Sequence, residues 1–196
     1  METSLEHVHE LEPHIKVARA RAGVLMLILS DALAALAILA AGGYLRALNT
    51  EGQYKVAGDF APAFIPGLLI AIGLVLSGLA YYWWERRASK PGETSQTLYF
   101  LLAWVLMLVA GVGAIWIGAS LKYGVTIHAY ESVQLLVTWF TAVHLLLAAF
   151  VGLLLGGRIL RGRLAGHEFI VEVVGYWWYY TVVASILLWL FGVYLT

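Results

Sequence analysis

Residues 97–120 read TLYFLLAWVLMLVAGVGAIWIGAS and contain neither a charged side chain nor a proline. As an α-helix this stretch would be about 36 Å long, at about 1.5 Å per residue. The hydrocarbon core of a bilayer is about 30 Å thick, so the helix would cross it completely. The stretch therefore predicts a transmembrane helix.

Four further stretches have the same length and apolar character, at residues 22–45, 61–84, 132–155 and 170–195. The links between the five stretches are short and hold nearly all the charge, so none is long enough for a second domain. We therefore predict an all-α integral membrane bundle of five transmembrane helices, forming one domain over residues 22–196. Residues 1–21 precede it as a tail or interfacial segment.

The composition excludes several protein classes. Of the 196 residues, 62% are hydrophobic and 12% are charged, whereas soluble domains are about 45–50% apolar and about 25% charged. A water-soluble enzyme or a disordered chain is therefore excluded. The formal net charge is zero, which gives no reason to expect a nucleic-acid partner. The absence of cysteine excludes disulfides, thiolate-bound metals and thiol catalysis.

The basic residues predict the orientation, because cytoplasmic loops carry an excess of Lys and Arg. Nine of the twelve basic residues flank the first span or join spans two to three and four to five; three lie on the opposite side. The N-terminus, including residues 1–21, is therefore expected in the cytoplasm, and the C-terminus outside.

Two ionisable residues, Asp31 and His144, fall near the middle of predicted spans. Asp31 lies nine residues after Ala22, which places it about 13 Å into the membrane. His144 lies between Ser132 and Arg158 at a similar depth. Because an unpaired charge is costly in hydrocarbon, we expect the two side chains to pair between spans one and four. The pair is interpreted either as a proton-linked or dicarboxylate-type site, or as a clamp between helices contributing about 1–2 kcal/mol.

Two other functions remain open from these residues. A metal-binding subunit of a membrane oxygenase would use Asp31 and His144 together with a third ligand that the sequence does not identify. A small transporter or assembly factor is less favoured, because transporters usually show duplicated halves and broken helices, and no proline falls at the centre of a span.

Three segments resemble subunit III of haem–copper oxidases in its five-helix form. Residues 23–31 read GVLMLILSD, which resembles the apolar run leading to Ser-Asp or Ser-Glu in that family's first span. Residues 140–145 read FTAVHL and are similar to Phe-His-Gly-Leu-His-Val, with His144 on the second histidine. Residues 176–183 read YWWYYTVV and resemble Tyr-Trp-His-Phe-Val-Asp-Val-Val. The basic GRILR at 157–161 also fits.

The chain departs from the family pattern at positions that include Thr141, Trp178, Thr181 and Ala184, which replace His, His, Asp and Trp. The resemblance therefore implies a divergent member. It implies a non-catalytic accessory subunit in the plasma membrane of a bacterium or archaeon. Haem and copper would reside in the catalytic subunit I and other oxidase subunits, with no cofactor in this chain except bound phospholipid. A subunit III-like protein of a nitric oxide reductase system is the alternative within this resemblance.

The resemblance also implies that the acid at Asp31 pairs with the histidine at His144. Basic side chains near the cytoplasmic surface are expected to meet lipid phosphates or a partner, or to provide only the positive-inside charge; these are Arg86, Arg87, Arg158, Arg161 and Arg163. Trp177 and Trp178, within the aromatic run, are expected to contact lipid or a partner protein.

Overall fold

The computed structural model describes residues 12–49, 54–55, 64–88, 94–121, 128–164 and 169–195. These residues form five α-helices and, within the described ranges, no strand. The helices are α1 (Pro13–Ala47), α2 (Phe64–Ala88), α3 (Thr94–Ser120), α4 (Ala129–Leu160) and α5 (Phe169–Leu195). All five are long and apolar enough to cross a membrane, which confirms the predicted all-helical membrane bundle.

The main difference from the predicted spans lies at the start of the chain. Residues 13–21 do not form a separate segment, because α1 begins at Pro13 and continues without a break into the first span. Proline is tolerated at this first position, where the backbone N–H has no partner within the helix. The rest of the predicted tail, residues 1–11, lies outside the described residues.

The helices alternate in direction, so the bundle has two sides. The N-terminal side carries the starts of α1, α3 and α5, and the C-terminal side carries their ends. Contacts between helices confirm this arrangement: Arg21 on α1 donates to Glu172 on α5 at the N-terminal side, and Arg46 donates to the backbone carbonyl of Tyr194 at the C-terminal side.

Four of the helices form a ring, and α1 lies outside it. In the ring α2 packs on α3, α3 on α4, α4 on α5, and α5 on α2. Among the other described helices, α1 packs against α4 and α5 alone. In its most apolar part only 6% of the residues are buried, against 39% in α5. The position of α1 therefore depends on one narrow seam.

The seam of α1 is a line of side chains spaced three or four residues apart. Val24, Ile28 and Ala35 contribute its apolar contacts on either side of Asp31, and Ile38 continues it. This spacing keeps one face of a helix against its neighbours. The opposite face is apolar and exposed. Asp31 is therefore a polar residue set in the middle of an apolar seam.

On the N-terminal side, aromatic side chains fill the interior between the four helices α2 to α5. Trp178 is fully buried, stacks on Tyr81 with centroids 4.9 Å apart, and donates from Nε1 to Ser77 at 3.1 Å. Gly152 allows this packing, since a Cβ there would lie 3.0 Å from the Trp178 ring and 2.7 Å from Trp104. A larger residue at 152 would displace both indoles.

Candidate functional site

The structure brings together the two ionisable residues predicted to pair. The ring atom Nε2 of His144 lies 2.7 Å from Oδ1 of Asp31, so α4 and α1 are joined near the middle of both helices. The exposed fraction of the side chains is 17% for His144 and 15% for Asp31. The predicted contact between spans one and four is therefore confirmed.

A third residue, Tyr180 on α5, completes the network. Its hydroxyl donates to Oδ2 of Asp31 at 2.6 Å. The two oxygens of the carboxylate thus bind different helices, Oδ1 to α4 and Oδ2 to α5. We call Asp31, His144 and Tyr180 the polar network; it ties α1 to the two helices that it contacts.

The hydrogen bonds of the imidazole determine how many protons the polar network holds. Nδ1 of His144 lies 2.6 Å from the backbone carbonyl of Phe140, which can only accept, so Nδ1 carries hydrogen. One further proton then lies between Nε2 and Oδ1. On Nε2 it gives an imidazolium and a carboxylate; on Oδ1 it gives a neutral imidazole and a carboxylic acid. Both forms have zero net charge, which lowers the cost of holding the pair in hydrocarbon.

Rings surround the polar network on α4 and α5. The Phe140 ring stacks on the imidazole at 4.1 Å between centroids, and Trp177 lies 6.2 Å away. A narrow gap is lined by the polar network and by Phe140, Thr141, Thr181, Ala184, Ser185 and Leu188. The gap has no room for a water-sized molecule, so the side chains of the network contact one another directly.

Two other carboxylates are bound by tyrosines of the same aromatic run. Glu172 accepts from Tyr176 one helical turn later and from Arg21 at 2.6 Å. Glu85 on α2 accepts from Tyr179 at 2.6 Å. The run 176–180 therefore places three hydroxyls on three carboxylates. A tyrosine ring can lie in apolar surroundings while its hydroxyl binds a polar partner, which explains this use of the run.

Trp177 and Trp178 do not form the expected lipid- or partner-binding surface. The exposed fraction of the residue is 5% for Trp177 and zero for Trp178, because both are enclosed by the other helices of the same chain. That expectation is wrong for a geometric reason: α5 contacts α1, α2 and α4, so most of its faces meet another helix.

The five predicted arginines lie on the N-terminal side of the bundle. Arg86 lies over the Tyr82 ring, 4.7 Å from its centroid, and Arg87 lies over Tyr99 at 5.0 Å. The other three, near the end of α4, have exposed side chains: Arg158, Arg161 and Arg163. Their position fits contact with lipid phosphates, which stays a prediction.

Polar residues also cluster at the C-terminal end of the ring. Glu131 is 9% exposed, and its Oε2 has no hydrogen-bond partner among the described residues. Tyr54 packs edge-on against Tyr130. Burial raises the pKa of the Tyr54 hydroxyl, and the positive charge of Arg46 opposes this rise.

Few side chains that could bind a metal ion lie close to one another. Within the described ranges, no three His, Cys, Asp or Glu side chains come together in a group that could hold an ion. Asp31 and His144 contact each other directly, and the Tyr180 hydroxyl also binds Asp31.

Comparison with known proteins gives no relative: no protein-family model matches the sequence, and no curated protein matches it at a significant level.

Sequence reasoning missed Tyr180 because five adjacent aromatic residues leave the contact face of the helix undefined. The depth of Tyr180 along its helix could have identified it. Tyr180 lies eleven residues after the start of α5 at Phe169, about 16 Å along the helix. That depth matches the depth counted for Asp31, and a search for hydroxyls at the level of the buried acid would have found it.

Proposed function

We propose that this protein is a non-catalytic accessory subunit, similar to subunit III, of a membrane haem–copper terminal oxidase in aerobic respiration. In this proposal it resides in the plasma membrane of a bacterium or archaeon and packs beside the catalytic subunit I. It supports assembly, holds phospholipid and helps proton uptake by the catalytic subunit. The haem and copper belong to the partner subunits.

The observation that carries the proposal is the contact between Asp31 and His144. The resemblance to subunit III places an acid of the first span against a histidine of the fourth, and depth alone leads to the same pair. The two side chains lie 2.7 Å apart. The five apolar helices add support, since the resemblance implies the same number of spans.

The exposed face of α1 supports a role beside another membrane protein. Large apolar side chains cover this face, and more than half of each is exposed: Leu25, Met26, Leu27, Leu29, Leu33 and Leu36. Lipid or a helix of the catalytic subunit would cover them equally well by van der Waals contact. A helix held to the bundle by one seam is also suited to being clamped from its other side.

The charge distribution supports the predicted orientation. Of the ten basic residues within the described ranges, eight lie toward the N-terminal side and two, Arg46 and Lys55, toward the C-terminal side. The positive-inside rule then places the N-terminal side in the cytoplasm. There the exposed arginines would meet anionic lipid headgroups at about 1 kcal/mol each.

Purification from native membranes in mild detergent tests the proposal. A tagged chain should co-purify with haem a, b or o and with copper in a larger complex. The Asp31→Asn variant should recover less of that complex, whereas Ser30→Ala, on the exposed side of the same helix, should recover it fully.

Two results would overturn the proposal. A chain that purifies as a lone, metal-free oligomer would have no oxidase partner. A stoichiometric metal in the isolated chain, lost in His144→Ala, would instead support the metal-binding subunit of an oxygenase. Co-purification with a nitric oxide reductase would shift the assignment to that system.

A further inference from the structure

A cavity lies among α2, α3, α4 and α5 in the C-terminal half of the ring. Its volume is about 70 Å³, which is enough for a few water molecules at roughly 10–30 Å³ each. Most of its lining is apolar, but five side chains bring polar atoms to it: Gln134, Thr138 and Thr141 from α4, and Ser185 and Trp189 from α5.

Besides the Tyr54 hydroxyl, two buried polar atoms at this end of the ring have no hydrogen-bond partner within the described part of the chain. One is Nε1 of Trp189, a lining residue of the cavity. The other is Oε2 of Glu131, which lies one helical turn before Gln134 on α4. A buried donor or acceptor without a partner costs about 1–3 kcal/mol, and water in the cavity removes such a cost when it can reach both groups.

The polar residues of α4 form one line toward the polar network. Glu131, Gln134, Thr138 and Thr141 follow one another at spacings of three or four residues, which places them along one face of the helix. His144 lies one turn further. The line begins at the C-terminal end of the bundle and ends at the partly buried imidazole of His144.

Thr141 and Ser185 connect the cavity to the polar network. Both residues line the cavity, and both line the narrow gap around Asp31, His144 and Tyr180. Relative to the polar network, most of the other residues that line the gap lie toward the C-terminal side, including Phe140, Ala184 and Leu188.

The packing on the N-terminal side of the polar network consists of buried aromatic rings, although Nε1 of Trp177 also lacks a hydrogen-bond partner among the described residues. Trp177 and Trp178 precede Tyr180 on α5 and are buried, and Tyr81 stacks on Trp178. None of these three rings lines the gap or the cavity. The polar network therefore faces the cavity in one direction and packed aromatic rings in the other.

We propose that the cavity is a water-access path through which the polar network exchanges protons with the aqueous phase on the C-terminal side only. Water in the cavity passes a proton along the hydroxyls of Thr141 and Ser185 to the Asp31–His144 pair. The pair returns one proton by the same route, so its zero net charge is kept. This inference concerns the isolated chain and does not depend on an oxidase partner.

Cysteine accessibility tests this path directly, because the natural chain has no cysteine. Single variants Thr138→Cys, Thr141→Cys and Ser185→Cys place a thiol along the path. Each purified variant is reconstituted in liposomes and treated from outside with a small, charged, membrane-impermeant methanethiosulfonate. The thiolate attacks the sulfenyl sulfur of the reagent and displaces methanesulfinate, and this thiolate forms only where water reaches the sulfur. Mass spectrometry gives the rate and the final fraction modified.

Four control variants provide the reference labelling rates and labelled fractions. Val143→Cys lies at the depth of the polar network but its side chain faces outward, 57% exposed, and Ala148→Cys lies at a fully buried position. Asn49→Cys and Arg163→Cys are exposed at the C-terminal and N-terminal sides respectively. The last two measure which fraction of the molecules presents each side to the reagent.

We expect the three path variants to react at least about tenfold faster than Val143→Cys and Ala148→Cys, as water-exposed thiols do relative to buried ones. The modified fraction should equal that of Asn49→Cys. Labelling of the path variants no faster than that of Val143→Cys would overturn the proposal. Such a slow rate is expected for a cavity that is dry or filled by a lipid chain. A fraction equal to that of Arg163→Cys would place access on the wrong side.

Infrared spectroscopy of the unsubstituted protein gives an independent readout if a cysteine variant fails to fold. The Tyr180 band, identified by its loss in Tyr180→Phe, should shift within seconds of transfer to deuterated water. A band that shifts only after hours would overturn the proposal as well.

Discussion

On the N-terminal side the interior of the bundle is filled with aromatic rings, whereas on the C-terminal side the same helices enclose a cavity with polar groups in its lining. Trp178, Tyr81 and Trp84 are all buried in the first region. Gln134, Thr138 and Ser185 line the second. Since α5 runs through both, the difference follows from a change in composition along one helix.

The two halves therefore have different roles: one provides close packing, and the other provides polar surface in the interior. Without a hydrophobic force between helices in lipid, stability depends on close van der Waals packing, and the aromatic half provides it. The cavity half is less closely packed, and polar side chains line its interior. The polar network of Asp31, His144 and Tyr180 lies at the boundary between the two halves.

The largest effect is expected from Trp178→Ala in the aromatic half. The substitution removes a fully buried ring and its hydrogen bond to Ser77. We expect a loss of about 3 kcal/mol in the free energy of unfolding, the lower end of the range for such truncations, because lipid replaces water as the surrounding solvent.

Unfolding by titration with a denaturing detergent, followed by circular dichroism, measures this loss. Trp83→Ala is the matched control, since Trp83 on the same side is 50% exposed and should lose under about 1 kcal/mol. Equal losses in the two variants would show that the aromatic half is not the packed core.

The second largest effect is expected from Gly67→Ala in the cavity half. A Cβ at position 67 would lie 2.7 and 2.9 Å from two carbons of the Trp189 indole, and closer still to Nε1. The ring must move, and overpacking of this kind costs about 1–3 kcal/mol. Gly73→Ala serves as the control, since its Cβ meets nothing within 4 Å.

The same titration measures both glycine variants, and cysteine labelling adds a functional readout. Because Trp189 lines the cavity, its displacement should slow the labelling of Thr138→Cys in the Gly67→Ala background and leave it unchanged with Gly73→Ala. Stability and labelling that match in the two backgrounds would contradict the observed contact.

A smaller effect is expected from Asp31→Asn, at the boundary of the two halves. The amide keeps the shape of the carboxylate but not its charge, so the bonds to His144 and Tyr180 weaken. We expect a loss of about 1–2 kcal/mol in the same unfolding assay. An unchanged stability would reject the interpretation that this pair clamps α1 to the ring.

The smallest effect is expected from Tyr180→Phe, which removes one hydroxyl and keeps the ring. The loss should be about 0.6 kcal/mol, the average for a hydrogen bond between membrane helices. Tyr82→Phe, with a more exposed residue, should lose less. A larger loss from Tyr82→Phe than from Tyr180→Phe would argue against the bond to Asp31.

The fold could be predicted from the sequence because each span is an uninterrupted apolar run. Helix ends were less accurate: a search for apolar residues stops at Ala22, but Lys16, Arg19 and Arg21 are good helix formers and α1 includes them. At about 1.5 Å per residue, α1 is longer than the membrane is thick, so its first turns lie beyond the hydrocarbon.

The site could be predicted only in part. Depth counting is sufficient for Asp31 and His144 because few other ionisable residues lie near the middle of a span. The depth of a residue in the membrane does not reveal how its helix is rotated about its own axis. For α5 that rotation decides that Tyr180 faces Asp31 and that Trp178 faces the interior, and only the packed structure shows it.

A double-mutant cycle between Asp31 and His144 tests most directly whether the polar network holds α1 to the ring. The free energies of unfolding of Asp31→Asn, His144→Gln and the double variant are compared with that of the unsubstituted chain. We predict a coupling energy of about 1 kcal/mol, as for contacting polar side chains in membrane helices. Losses that simply add, to within about 0.3 kcal/mol, would show that the two side chains do not interact and would contradict the account.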